Sequence, residues 1–379
     1  MLLLFYISGH GFGHASRDIQ IINALARRVP GLRVVLRTMV PEWFLLSSLE
    51  TAVEVIPGDT DVGVVQPDSL SIDEADTARR AASFYARFDE RVAREAELIG
   101  SLQPSLVAGD IPPLAFAAAA TAGVPSVAIS NFTWDWIYGG FSDFDALAPG
   151  VRATIARGNA LATWVLRLPF AGGFASMRPI EDVPLVARRA TLTKRDARER
   201  LGLPGDRPIV LATFGGHGGN IPLERAADND RFLLVATDYE VGAHRPSHPN
   251  LRVVSGDEMR RQGATYTDLL AASDVVATKL GYGIVSECLA NGVALLYTLR
   301  GRFIEQDTFM REMPAVMRSL HIGTDDLREG RWAESVDALL AQPVRAAVPA
   351  DGADVAAGRM IGMALGDGRS AMGGASTND

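Results

Sequence analysis

Two histidines four residues apart stand in a run of glycines: "SGHGFGHASR", Ser8 to Arg17, sets His10 and His14 among Gly9, Gly11, Phe12 and Gly13. Imidazole ordinarily titrates near neutrality, so either ring could take a proton from an alcohol at physiological pH. The glycines let the backbone turn sharply and let a ligand approach with no Cβ in the way. The run follows an apolar stretch and opens a helical pattern, whose exposed N–H groups and positive dipole end then lie beside it. The spacing departs from the dinucleotide pattern G-x-G-x-x-G. Gly9 and Gly11 fit, but His14 takes the third glycine's place and Thr38-Met39, not an acid, follows the next strand. A glycine turn with incidental histidines is the alternative; two of the chain's 6 histidines in one short loop favour chemistry.

A second glycine segment, "LATFGGHGGN" from Leu211 to Asn220, offers Gly215, Gly216, Gly218 and Gly219 as a curved backbone able to cradle phosphate, with His217 as a further donor. No Gly-Lys-Ser/Thr follows, so it is not a P-loop. In "ATKLGYGIVSECLANG", Ala277 to Gly292, a strand ends near Thr278, Gly281, Tyr282 and Gly283 make a turn, and a helix starts near Ile284. That helix N-terminus and Lys279 could offset charge on a departing diphosphate, unless Lys279 is merely a surface lysine. Ser286 and Glu287 are expected in the first helical turn, Glu287 serving either as an N-terminal helix charge or as acceptor for a ribose diol. Cys288 is expected in the core. In "LRGRFIEQDTF", Glu305 and Gln306 fall on a third loop, where a carboxylate and an amide suit sugar hydroxyls. "NFTWDWIY", Asn131 to Tyr138, is dense in rings; Trp134 and Trp136 form either a stacking wall for an acceptor or a packed core cluster.

Short apolar runs alternating with helical patterns must position these loops, which predicts an α/β fold with parallel sheets. Strands are expected at Leu2–Ser8, Leu32–Arg37, Val53–Ile56, Leu106–Ala108 and Ser126–Ser130, then at Ile209–Thr213, Phe232–Ala236, Leu251–Val254, Val275–Ala277 and Ala294–Tyr297. Helices are expected at Ala15–Arg28, Ala75–Ser101 (one long helix), Leu114–Ala122, Tyr266–Ala272 and Ile284–Ala290. "RPIEDVPLVARR" reads as a linker. The division is therefore 1–182, 183–365 and a disordered tail, 366–379.

Bulk properties agree with two domains: 379 residues, 47% hydrophobic and 22% charged. The formal charge of −8 argues against nucleic acid as a partner, and against more than peripheral contact with an anionic membrane. One cysteine rules out an internal disulfide, and no metal-ligand pattern stands out. The N-terminus lacks the charged flank of a signal peptide, and the apolar stretch from Pro112 to Ile129 is broken by prolines and Gly123. The expected location is cytoplasmic. Oligomeric state is not readable.

Taken together, "YISGHGFGHASR", "QPDSLSIDEADT", "VAGDIPPLAFAAAATAGVPSVAISNFTWDWIY", "FGGHGG" and "KLGYGIVSECLANGVALLYTLRGRFIEQDTF" resemble the glycosyltransferase-like proteins related to the N-terminal half of plant L-arabinokinase. The sugar-kinase half and its ATP loop have no counterpart here. More distantly, the loop order is similar to the lipid-linked peptidoglycan N-acetylglucosaminyltransferase and the plant UDP-glucosyltransferases. The resemblance implies the GT-B architecture, two Rossmann-like doubly wound domains facing across a cleft. It further implies a UDP-linked sugar held by the C-terminal domain, His14 rather than His10 as the base that faces the acceptor, and Asp110 as its orienting partner. Asp110 precedes Ile111-Pro112-Pro113, so a turn-forming role is the alternative.

The resulting expectation is inverting, metal-independent transfer of a sugar from a nucleotide sugar to an acceptor hydroxyl, with no resident cofactor and an unidentified acceptor. A nucleotide-sugar 2-epimerase on the same fold and a non-catalytic nucleotide-sugar-binding module are the alternatives.

Overall fold

A computed structural model describes residues 1–10, 12–46, 48–215, 221–242 and 247–366. The chain forms two compact units, each built on one twisted sheet. Unit 1 holds β1 (Leu2–Ile7), β2 (Arg33–Thr38), β3 (Glu54–Pro57), β4 (Leu106–Asp110), β5 (Ser126–Phe132), β6 (Trp164–Gly172) and β7 (Ile180–Asp182), in the order β3-β2-β1-β4-β5-β6-β7. Unit 2 holds β8 (Ile209–Ala212), β9 (Leu233–Thr237), β10 (Leu251–Val254), β11 (Val275–Lys279), β12 (Ala294–Thr298) and β13 (Ser319–His321), ordered β10-β9-β8-β11-β12-β13. Neighbouring strands run parallel in both sheets. The strand order reverses between β1 and β4 and again between β8 and β11. In such sheets, ligands bind beyond the strand C-termini at these reversals.

The central strands are buried on both faces, which explains their unbroken apolar sequence: Leu3, Leu4, Phe5, Tyr6 and Ile7 in β1 are at most 1% exposed. Helices cover them. The first, Gly13–Arg28, turns Ile19, Ile22 and Leu25 into the core. Pro112 and Pro113 start the alanine-rich helix Pro113–Ala122, where a missing N–H costs nothing, and Gly123 ends it in the left-handed region at φ 71°.

Four features differ from the sequence reading. The expected helix 75–101 is two, Glu74–Tyr85 and Phe88–Leu102, and the break lets Phe84, Tyr85 and Phe88 all bury. The presumed linker at 178–189 contains an edge strand, β7, and Val183, Leu185 and Val186 are core residues, so unit 1 runs to Val186. The last helix, Gly352–Ala364, belongs to unit 1 rather than to the C-terminal half. It packs on the first helix, with Arg28 bonded to Asp354 at 3.1 Å and Arg359 to Glu181 at 2.7 Å. Conversely, Gln66–Ile72 is grouped with unit 2, where Leu70 packs against the apolar core of that sheet. Of the expected tail, 366–379, residues 367–379 lie outside the described residues.

Candidate active site

The loop after β1 and the end of β4 meet at the reversal point of unit 1, because Ile7 and Asp110 are paired across the two strands. His14 is the second residue of the first helix and Asp110 the last of β4; both are buried, and His14 Nδ1 lies 2.9 Å from Asp110 Oδ1. Arg17, one turn along the same helix, bonds both carboxylate oxygens, Nε reaching Oδ2 at 2.5 Å and Nη2 reaching Oδ1. Its Nη2 also donates to Ser130 Oγ at 2.9 Å, and Nη1 donates to Asn131 Oδ1 at 2.7 Å. Arg17 Nη2 stands 3.0 Å from His14 Nδ1, but its two hydrogens are directed at Asp110 and Ser130. Nδ1 therefore carries the proton and donates it to Asp110, which leaves Nε2 as the acceptor. Burial opposes ionisation of Asp110, yet the charges of Arg17 and then His14, with their hydrogen bonds, outweigh it and bring the carboxyl down to about 2.

A second carboxylate, Asp61, is partly exposed beside this pair. It accepts from Ser8 Oγ at 2.9 Å and from Trp134 Nε1 at 2.8 Å. Burial among protein groups raises it to about 6, against the influence of His14 and those two bonds. His10 holds the same segment: its Nδ1 accepts from Val64 N at 3.4 Å, and its ring meets Trp134 edge-on at 5.7 Å. Gly63, at φ +65°, lies so close that a Cβ there would sit 2.5 Å from His10 Cβ. His10 thus packs against the chain that carries Asp61.

Trp134 is fully buried and Trp136 lies against Gly172 and Gly173, where an added Cβ on Gly172 would come within 2.2 Å of the indole. Of the two readings of this segment, the packed cluster holds for Trp134, which stacks on Tyr138, itself stacked on Phe144 at 4.4 Å; Trp136 is partly buried against the two glycines. An exposed ring lies elsewhere, at Trp43. Phe12, which caps the first helix, stacks on Phe44 at 4.4 Å and meets Trp43 at 5.8 Å; Trp43 is 57% and Leu46 60% exposed.

In unit 2, Gly215 follows β8 and Lys279 ends β11, so they flank that sheet's own reversal. Gly215 is at φ +82°, its N–H donates to Glu240 Oε1 at 3.1 Å, and a Cβ on it would lie 3.5 Å from Lys279 Cε. Burial first, and the charge of Arg300 second, lower Lys279 to about 8 despite Glu240 and Asp68. The helix beyond, Tyr282–Ala290, is capped by Gly281 with no side-chain bond and carries no acid in its first turn. Ser286 and Glu287 fall in its second turn, not its first, because the helix begins at Tyr282 rather than Ile284. Ser286 Oγ donates to Gly283 O at 2.9 Å, and Glu287 Oε1 accepts from Arg188 Nε at 2.5 Å. Cys288 is buried. Glu305 and Gln306 are not on a loop: they are buried in the first turn of the helix Glu305–Val316. Gln306 Oε1 accepts from Arg300 N at 2.8 Å while Nε2 donates to Arg300 O and Gly301 O at 3.4 and 3.3 Å. Gly11, Gly216, His217, Gly218 and Gly219 lie outside the described residues.

Arg17, Asp61 and Arg300 did not stand out in the sequence. Their partners come from remote segments, and only "GHASR", which sets an arginine one turn after His14, held a trace of them. Among the described residues, no three His, Cys, Asp or Glu side chains group as a metal would need, and no helix is long and apolar enough to cross a membrane.

Comparison with solved structures decides the architecture. The spinosyn rhamnosyltransferase SpnG superposes with a TM-score of 0.62 at 14% identity, over 98% of this chain and 97% of that one. The glycosyltransferase VinC, solved in complex with DTDP, gives 0.59 at 17% identity, over 96% and 95%. The fold is GT-B. A third GT-B structure, Phytolacca americana UGT2 complexed with UDP-2fluoro-glucose and pterostilbene, gives 0.58 at 14% identity, over 96% and 94%. By sequence, L-arabinokinase of Arabidopsis thaliana is 28% identical over 340 residues, which is 88% of this GT-B chain but 31% of the kinase. The chain thus spans about a third of that relative's length. No family profile matches.

Proposed function

We propose that the protein is an inverting glycosyltransferase that moves a sugar from a nucleoside diphosphate sugar, UDP-linked by preference, to an acceptor hydroxyl. The observation that carries this reading is the 2.9 Å contact between His14 and Asp110 at a strand-order reversal of a GT-B sheet. His14 Nε2 takes the acceptor proton, and Asp110 keeps the tautomer and balances the imidazolium that forms. The acceptor oxygen bonds to the anomeric carbon as the bond from that carbon to the diphosphate breaks. One displacement inverts the centre. Gly215, Lys279 and the open N-terminus of helix Tyr282–Ala290 meet the charge of the departing diphosphate without calling on a metal ion. Glu287, with Oε1 on Arg188, turns its other oxygen to a ribose hydroxyl. The exposed ring of Trp43, with the partly buried Phe12 and Phe44 packed against it, suits an acceptor with an apolar face.

The test is calorimetry of the full chain against a panel of nucleotide sugars, followed by turnover with the best donor. His14→Ala is expected to lose about 10²–10⁴-fold in turnover while donor affinity stays. Unchanged turnover removes His14 from the mechanism, and binding to no nucleotide sugar defeats the proposal. Asp61 supports one second reading, a nucleotide-sugar 2-epimerase, because it adds a carboxylate beside His14 that such an enzyme needs. Conversion of a nucleotide sugar with no acceptor present, followed by NMR, would favour it.

A further inference from the structure

Two cations stand together in unit 2, and among the described residues no protein anion is hydrogen-bonded or ion-paired to either. Arg300, two residues beyond β12, is 9% exposed, and its Nε is buried without a hydrogen-bond partner. Among the described residues its guanidinium donates to no acceptor and lies over the Phe303 ring at 4.4 Å; the hydrogen bonds of Arg300 are made by its backbone, both to Gln306. A guanidinium has five donors and keeps its charge at any working pH, so burying it unsatisfied is costly unless something else fills the place. Lys279 is its neighbour: β11 and β12 are adjacent, Lys279 is paired in register with Thr298, and the two cations repel one another. Glu240 is bonded to Thr213 Oγ1 and Gly215 N, and Glu305 favours the charge of Arg300 without a hydrogen bond to it. The open helix N-terminus after Gly281 and the backbone of Gly215 adjoin Lys279. An anion with several acceptor oxygens would satisfy Arg300, Lys279 and the helix N-terminus at once.

Resting on the reading of unit 2 as the donor site, we propose that Arg300 and Lys279 together grip the diphosphate of the nucleotide sugar. Gln306 is then a positioning residue, since both ends of its amide hold the backbone around Arg300. Arg300 acts on the ligand, Gln306 through Arg300.

The experiment titrates the full chain with UDP, dTDP, uridine and inorganic pyrophosphate, as wild type, Arg300→Met and Arg300→Lys. Arg300→Met is expected to weaken nucleoside diphosphate binding about 10- to 100-fold, with uridine affinity unchanged. Arg300→Lys should recover only part, because a point charge cannot span two phosphoryl oxygens. Thermal stability of Arg300→Met should be equal or higher, since a buried unpaired charge is removed. Affinity for UDP should also fall in the wild type as pH rises through about 8, where Lys279 loses its proton among Arg300, Glu240 and Asp68, and that fall should move to higher pH in Arg300→Met. Equal UDP affinity in Arg300→Met, or a joint loss of stability and uridine binding, overturns the inference and leaves the donor reading standing. Binding of pyrophosphate with no nucleotide binding upholds the anion site and overturns the donor reading; binding of none of the four overturns both.

Discussion

Arg17 bonds both carboxylate oxygens of Asp110, so the group that faces His14 is itself clamped from its other side. The clamp keeps a buried carboxyl ionised where burial alone would favour the acid. Arg17→Met should therefore raise the Asp110 pKa, and activity should be lost at a higher pH on the acid side, because the dyad fails once Asp110 is protonated. Breaking a buried pair from one side costs about 3–5 kcal/mol. A pH–rate profile and a denaturant melt read the two effects separately; an acid limb that stays in place would show that Arg17 does not tune Asp110.

Burial among protein groups raises Asp61 to about 6, although part of its surface stays open to solvent. If its charge matters to the reaction, the wild-type pH–rate profile bends near that pH and Asp61→Asn straightens it. Survival of the same bend in the variant assigns it to another group.

Asp18 is buried beside Arg17, with neither carboxyl oxygen hydrogen-bonded among the described residues, and burial first, then the charge of Asp110, hold it well above the usual carboxylate range. A folded-state value above the unfolded one means that the unfolded chain gives up this proton more readily. Stability is then full below roughly pH 4 and is lost as pH rises toward the folded value. Asp18→Asn should be more stable than wild type at neutral pH, with the gain vanishing near pH 4. Urea melts across that range check the slope, and a gain independent of pH would contradict it.

Gly63→Ala should be destabilising by about 1–3 kcal/mol, since its φ is +65° and the new Cβ would strike His10. Turnover should fall as well, because the displaced segment carries Asp61. Full activity in the variant would separate Asp61 from catalysis.

The strands and the turns after them were readable because doubly buried strands are long apolar runs and because glycine is the residue that such turns tolerate. Each of His14 and Asp110 ends or follows a recognisable strand, but it is the resemblance to glycosyltransferases that picks His14 over His10 and pairs it with Asp110. Arg17, Asp61 and Arg300 were not reachable, since a charged side chain's burial depends on partners that periodicity cannot supply. Arg17 meets Asp110 93 residues away, and Asp61 meets Trp134 73 residues away. The aromatic segment at 131–138 reads either way: ring content is visible in a sequence, but whether rings face solvent or Gly172 is decided by tertiary packing. Glu305 and Gln306 were found but misplaced, because no strong capping signal marks the start of their helix, whose N-cap, Ile304, makes no side-chain bond.

The helix Gly352–Ala364 closes over the first helix, and Gly352 approaches Pro184 so closely that a Cβ would lie 2.0 Å from its carbonyl oxygen. On the ribosome, then, the half that carries His14 is synthesised first yet waits for nearly all of the rest to emerge before its surface is complete. Unit 2 can settle while unit 1 is still missing a piece, which inverts the usual order for a chain made from its N-terminus. Expressing residues 1–186 alone would leave the first helix uncovered, and adding the separate 350–366 peptide should restore it.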